Sequence, residues 1–316
     1  MALLNPRVDL AFKKIFGIDE NKDLLISFIN SIVSKEHQVA SIELLNPYNS
    51  KNFEHAKGSI LDIKAKDEQG KQFDIEIQIS DEGDYDKRAL FYWAKLYADQ
   101  LNSGHEYSSL GTAIGIHILN FNCIPNLNSY YNQWRITDKN SGQHYFQDFA
   151  IYTIELNKFT DQDKEDVRQL LPRIRTGLDR WAAFLTKAAD LDRNNLPKEI
   201  NDPNIKKALD VLTVTSLNKE EREIYENHLK WLRTEASTLK KLTGKAREEG
   251  RAVGRTEGRA EGRAKGRVEG RAEGKLEERK SLLQTLIQNG FSRKQISQAL
   301  HLTLQEIDDL LHKSSR

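Results

Sequence analysis

Asp62 and Glu76 are the two residues whose placement invites chemistry, because the segments carrying them alternate like the arms of one β-hairpin. In the first arm Leu61, Ile63 and Ala65 point one way, while Ile60, Asp62, Lys64 and Lys66 point the other. The second arm sets Phe73, Ile75, Ile77 and Ile79 on one face and Asp74, Glu76 and Gln78 on the opposite face. Such period-two patterning, with β-branched residues on the side to be buried, is that of a strand. Glu68-Gln69-Gly70 makes the turn. A three-residue loop closes on a left-handed residue, and glycine takes that conformation without steric cost. This register pairs Asp67 with Lys71 and sets Asp62 opposite Glu76. Directly opposed side chains have Cβ atoms roughly 4.5–5.5 Å apart. Two carboxylates that close repel, and a proton or a divalent cation relieves the repulsion. The pair therefore reads as a metal site, with Gln78 leaving the same face. The competing reading is a solvated acidic pair screened by Lys64 and Lys66.

With these residues in view, the chain resembles a known family. Asp62, thirteen intervening residues and then Glu76-Ile77-Gln78 are similar to the signature of the PD-(D/E)xK nucleases. A glutamine stands where lysine is usual, as in the recombination-promoting nuclease family, whose members are also described as transposases. The likeness includes the opening Asp9-Leu10-Ala11-Phe12-Lys13-Lys14-Ile15-Phe16-Gly17 and the stretch Ser59-Ile60-Leu61-Asp62-Ile63. Lys87-Arg88-Ala89-Leu90-Phe91-Tyr92-Trp93 and Gly104-His105-Glu106-Tyr107 follow in the same order, so that roughly residues 5–240 are covered.

The resemblance implies a Mg²⁺-dependent DNA endonuclease, with Mn²⁺ or Ca²⁺ as other candidate ions. Asp62 and Glu76 would be the protein ligands and the Ile77 carbonyl a third. Hydrolysis of a phosphodiester needs an activated water and neutralisation of a pentavalent centre, and a hard cation on carboxylates serves both needs. Gln78 can hold a water by hydrogen bonds but brings no charge. The likeness also implies a role for Asp9 near the metal; by position alone it is a cap or dipole partner of the first helix. Arg88 and Tyr92 lie one turn apart on the helix after the site strand. Arg88 can serve a phosphate or pair with Asp84, and Lys57 can line a basic rim. His105 and His117 read as isolated local hydrogen-bonders. The alternative to an enzyme is a catalytically degenerate nuclease fold kept as a nucleic-acid- or protein-binding module.

Positioning those residues requires an α/β architecture. Residues 8–16 and 22–33 read as helices, 41–48, 59–67 and 71–80 as strands, and 85–102 as a helix with Leu90, Trp93, Ala94, Tyr97 and Leu101 inward. The near-continuous apolar run 111–121 is expected of a strand covered on both faces. This order is that of a restriction-endonuclease-like core, a mixed sheet flanked by helices. Two further strands are expected at 130–137 and 144–156. The expected division is a core over 1–160, a helical extension over 161–243, a glycine-repeat helix or linker over 244–279 and a small helical unit over 280–316.

In the third of these segments a glycine recurs every fourth residue from Gly250 to Gly274, mostly followed by arginine. Each glycine costs a helix about 0.8–1.0 kcal/mol relative to alanine. A winding stripe of small residues invites close approach of a second backbone, so the favoured reading is a homo-oligomer formed through this tail. A plain tether and a nucleic-acid arm are the alternatives. Interleaved glutamates and the absence of aromatic residues argue against the arm. Ser292 with Gln295, and Thr303 with Glu306, have capping-box spacing, with Gly290 as a helix stop. The last helix is acidic, which opposes contact with phosphates.

Composition bounds the rest. A chain of 316 residues with 30% charged residues has a net charge of only +1, so any attraction to DNA must be local. A single cysteine, Cys123, excludes an intramolecular disulfide and a cysteine-rich zinc site. Neither a signal peptide nor a membrane-length apolar run is expected, which gives a cytoplasmic reading with no membrane partner.

Overall fold

Strand alternation and helical periodicity resolve into a six-stranded mixed sheet with helices on both faces, in a computed structural model that describes residues 3–47, 62–80, 83–160, 165–213 and 217–312. The first helices are α1 (Asp9–Phe16) and α2 (Lys22–Ile32). Next come β1 (Ile42–Leu44), β2 (Ile63–Asp67), β3 (Gln72–Gln78), helix α3 (Tyr85–Ala98) and β4 (Ala113–Leu119). Strands β5 (Tyr131–Trp134) and β6 (Phe149–Glu155) complete the sheet in the order β1-β2-β3-β4-β6-β5. The edges β1-β2-β3 and β6-β5 are antiparallel, whereas β3, β4 and β6 run parallel. Helix α3 makes the crossover that parallel neighbours require. Residues 48–61, and with them the expected start of the β2 segment, lie outside the described residues.

The hairpin register agrees with the expectation. Ile63 pairs with Ile75, Lys64 with Asp74 and Ala65 with Phe73. Asp67 N–H donates to the Lys71 carbonyl at 3.0 Å, and Gly70 has φ +85°. Every residue of β4 is buried, as its uninterrupted apolar run implies. The main core lies on the face formed by Phe73, Ile75, Ile77, Ile114, Ile116 and Ile118. Helices α1 and α2 close that face together with α4 (Gly177–Lys187) and α5 (Pro203–Val211). Phe16 stacks on Phe28 with ring centroids 4.7 Å apart, and both rings meet Trp181 edge-on. This aromatic knot fixes α1, whose polar residues matter below.

On the other face α3 is thinly seated, and its expected inward stripe is corrected. Tyr85, Ala89 and Leu96 are the buried residues, while Leu90 is 54% exposed and Ala94 is also exposed. Trp93 is half-buried, lies flat on Tyr97, and donates from Nε1 to the Ala113 carbonyl at 2.8 Å. The helix ends at Ala98 rather than Asn102. The helix is seated through Tyr85 and Ala89, which pack on Leu119, with the Trp93 indole bonded to the Ala113 end of β4.

The chain divides into two compact units, Met1–Leu232 and Arg233–Arg316. Helix α6 (Lys219–Gln288) carries the glycine repeat. In the second unit α7 (Arg293–Leu300) and α8 (Leu304–His312) gather Leu283, Ile296 and Ile307 into a small core. The Ser292–Gln295 box forms, and Thr303 and Glu306 exchange the corresponding bonds. Among the described residues no helix is long and apolar enough to cross a membrane.

The corrected seating of α3 separates two leucines that composition treats alike. Leu96→Ala should cost about 2–5 kcal/mol as a core truncation. Leu90→Ala should stay within about 0.5 kcal/mol, as surface changes do. Urea unfolding of the two variants checks this; equal losses would restore the sequence-based stripe.

Candidate functional site

Strand β3 is apolar on one side and acidic on the other, and the acidic side faces α3. Backbone bonds set which groups point where. Gln72 N–H donates to the Thr112 carbonyl at 2.9 Å, and Asn120 N–H donates to the Gln78 carbonyl at 2.9 Å. The even-numbered residues thus bond toward β4, which turns the Ile77 carbonyl toward β2. The β2–β3 ladder ends at Ile63 opposite Ile75. The ladder thus stops one residue short of Asp62 and Glu76, and the carboxylate whose electrostatics Asp62 perturbs is that of Asp74. Asn46 holds this end of β2 in place. Its Nδ2 donates to the Asp62 carbonyl at 3.0 Å, and its Oδ1 accepts from Lys64 N–H at 2.7 Å.

Around this point the structure gathers more ionisable groups than the hairpin alone supplies. Arg88 Nη2 donates to Glu76 Oε1 at 3.2 Å, so the arginine expected at a phosphate or at Asp84 reaches the site carboxylate. Lys64 Nζ is 3.7 Å from Asp62 Oδ2. From α1, Asp9 is buried, and desolvation pushes its carboxyl up to about 7, against the pull of Lys13 and with a further push from Glu76. Asp9 Oδ2 also lies 3.7 Å from His228 Nδ1. Asp9 is thus no N-cap: Val8 takes that position, and the aspartate is a buried neighbour of the site. Lys13, one turn further on, is buried beside Asp62 and Asp9; desolvation lowers its pKa while the two carboxylates raise it.

Two residues that sequence reasoning did not place at the site lie on the same face as Glu76. Asp74, two places before Glu76, is 7% exposed, and its Oδ1 is buried without a hydrogen-bond partner. Desolvation and the adjacent Asp62 carboxylate drive its pKa well above the ordinary range, partly offset by Lys64. His117, expected to be isolated, pairs in register with Glu76 and holds Nδ1 3.8 Å from Glu76 Oε2. Full burial, with Arg88 nearby, lowers its pKa to about 4, which keeps it neutral at neutral pH. Gly115 makes room for this ring: a Cβ there would lie 2.9 Å from His117 Nε2. The signal for Asp74 lay in the even-numbered run Asp74, Glu76, Gln78. His117 could be found only through the parallel register with β4.

Gln78 ends β3 half-buried on the acidic side. Tyr92 is half-buried, with its ring edge-on to Phe91. His105 is exposed and accepts from Asn102 N–H at 3.5 Å. Lys57 lies outside the described residues.

Among the described residues no three His, Cys, Asp or Glu side chains converge closely enough to form a ready metal centre. The donor chemistry nevertheless fits a hard divalent cation. Carboxylate oxygens and a backbone carbonyl are the ligands such ions take, and Asp74 Oδ1 is a buried oxygen with no partner. Buried like-charged oxygens of this kind hold a proton in the absence of a cation.

Residues 6–241 match the model of a family described as PD-(D/E)XK nuclease family transposase, and the chain belongs to that family. No curated protein and no solved structure matches it.

Burial of Asp74 predicts a pH signature. Because its folded pKa is raised, its contribution to stability is complete below the ordinary carboxylate range near 4 and is lost as pH rises toward the raised value. Asp74→Asn stays neutral throughout. In EDTA its melting temperature should therefore gain steadily on that of the wild type between about pH 4.5 and 8. A constant difference across that range would show that Asp74 is ionised in the folded protein.

Proposed function

We propose that this member of the PD-(D/E)XK nuclease family transposases is a metal-dependent DNA endonuclease that hydrolyses phosphodiester bonds. The observation carrying this reading is the shared placement of Asp62, Asp74 and Glu76 on one side of the β2–β3 hairpin, with Asp9 brought alongside by α1. Nucleases of this family typically use divalent metals, and Mg²⁺ is the ion proposed here. Asp62, Glu76 and the Ile77 carbonyl would hold the cation. Such an ion supplies a more acidic water and neutralises charge on the phosphate.

The chain's own residues do the rest. Asn46 fixes the backbone of Asp62, so the carboxylate is held rather than swinging at a strand end. Gln78, at the end of the same strand, offers an amide that can orient the attacking water. Arg88 holds Glu76 on the site face, and on release it can turn to a DNA phosphate. Tyr92, one turn along α3, and Lys57 extend the proposed substrate surface.

A second reading, a nuclease fold retained as a binding module, draws on the same ion pair: Arg88 already occupies Glu76. Supercoiled plasmid decides between the two. Wild type with Mg²⁺ should nick it, and Asp62→Ala and Glu76→Ala should lose at least about 100-fold in rate, as loss of key electrostatic groups does. Far-UV spectra should be unchanged. Gln78→Ala should slow cleavage with little change in metal affinity. Wild-type protein that binds DNA but never nicks it would favour the module.

The core is proposed to fold without the tail, so truncation after Thr243 should leave it cooperative. The glycine repeat is proposed to mediate self-association. A Cβ at each of Gly250, Gly254, Gly258, Gly262, Gly266, Gly270 and Gly274 meets nothing within 4 Å, which leaves the stripe open to a second copy. Replacing Gly258, Gly262 and Gly266 with alanine should raise helix propensity by roughly 2–3 kcal/mol in total and yet lower the mass in sedimentation. An unchanged mass would leave the segment a tether.

A further inference from the structure

Lys13 is a lysine in the wrong place for a structural surface residue. Its helix α1 buries Leu10, Ala11, Phe12, Ile15 and Phe16, and Lys13 is itself only 6% exposed. The neighbouring Lys14 has an evident partner, Glu221, at 2.8 Å across the fold. Lys13 lies one turn from Asp9 on the same face of α1 and interacts electrostatically with both Asp62 and Asp9. Gly17, one turn further along the chain, lies against Ile63, since a Cβ there would be 3.6 Å from Ile63 Cγ1. The end of α1 is therefore packed on the residue that follows Asp62.

A buried ammonium costs several kcal/mol in desolvation even when paired, and an apolar side chain at such a position is often at least as stable. Stability alone therefore gives no reason for a lysine here. On β3 itself the motif carries no cation: Gln78 is neutral where a lysine is usual, while Lys64 on β2 is paired with Asp62 and Arg88 is engaged with Glu76.

We propose that Lys13 supplies from the first helix the fixed positive charge that Gln78 leaves out of the strand motif, and so serves as a positioning residue for phosphodiester hydrolysis. This rests on the nuclease reading above. In that reaction a water oxygen forms a new bond to phosphorus and one bridging P–O bond breaks. The attacking water loses a proton, the leaving oxygen takes one up, and the phosphorane-like centre carries extra negative charge in between. Lys13 acts through the electrostatic interaction it has with Asp62 and Asp9, which its own burial leaves less screened than at the surface. No proton is transferred to or from it.

The test uses the full chain with supercoiled plasmid and Mg²⁺, comparing wild type, Lys13→Met, Lys13→Arg, Lys14→Met and the double variant Lys13→Met/Gln78→Lys. Ca²⁺ binding by calorimetry and thermal melting are measured alongside. Lys13→Met should lower kcat by at least about 30-fold, in the range of a lost electrostatic group, with KM changed less than about threefold. Ca²⁺ should bind it as tightly as wild type or more tightly, because a repelling charge is gone. Lys13→Arg should keep most of the rate, Lys14→Met should match wild type, and the double variant should regain about tenfold over Lys13→Met. If Lys13→Met does not fold, Lys13→Gln is judged by the same criteria.

Wild-type kcat in Lys13→Met overturns the proposal. So does a loss that Gln78→Lys does not repair and that comes with a matching fall in melting temperature or Ca²⁺ affinity, which is what a purely structural lysine predicts. Absence of cleavage by wild type overturns the nuclease reading itself, and with it this role; cleavage by wild type and Lys13→Met alike overturns only the role of Lys13.

Discussion

The confinement of Asp74 and Glu76 to the middle of a sheet is the constraint on which this structure turns. Strand β3 is paired on both sides, antiparallel to β2 and parallel to β4. Its odd-numbered residues pay for the fold by entering the core as Phe73, Ile75 and Ile77. With a side-chain period of two, the even-numbered residues cannot then leave the opposite face. That face is covered by α3, so its carboxylates are held away from bulk water while they are held in register. The raised proton affinity of Asp74 follows from this placement.

The face opposing the core is accordingly built to tolerate charge. Gly115, opposite Asp74, leaves room for the His117 ring, and His117 sits beside Glu76 as a neutral imidazole. Lys64, cross-strand from Asp74, and Arg88, from α3, bring positive charge from two directions. Helix α1 brings both signs at once, Asp9 and Lys13, one turn apart on a single face. The aromatic knot of Phe16, Phe28 and Trp181 sits at the far end of α1 and gives this delivery its rigidity.

Much of this was legible in the chain. Alternation alone placed β2, β3 and their turn, because a one-residue slip would have exposed Ile63 and Ile75. The even-numbered face of β3 followed directly, and with it Glu76 and Gln78 on the acidic side of the strand. What could not be read is whatever depends on elements far apart in sequence. His117 meets Glu76 only through a parallel pairing set by a crossover helix, and local pattern does not specify that register. The rotation of α3 could not be read locally because Tyr85 and Ala89, rather than Leu90, pack against Leu119, a residue distant in sequence. By position alone Asp9 read as a cap or dipole partner; the half-buried Glu76 nearby is invisible in a local window.

Charge balance then explains why a carboxylate cluster can persist in a folded protein without being an open cation trap. Asp9, Asp62, Asp74 and Glu76 are set against Lys13, Lys64 and Arg88, and burial favours the protonated form of Asp74. In that form the positive and negative groups nearly offset one another. A divalent cation entering such a site meets no bare negative field. Under the proposed function, a cation held by Asp62 and Glu76 would compete with the Arg88 contact to Glu76, beside an Asp74 whose protonated form burial favours. Such competition costs energy where the dielectric is low. Phosphate is the ligand best suited to take the arginine as it is released, because a guanidinium binds phosphate and carboxylate with the same fork. Under the proposed function the Arg88–Glu76 ion pair would link the two ligands, since an Arg88 drawn to a phosphate would leave Glu76 free to help hold a cation.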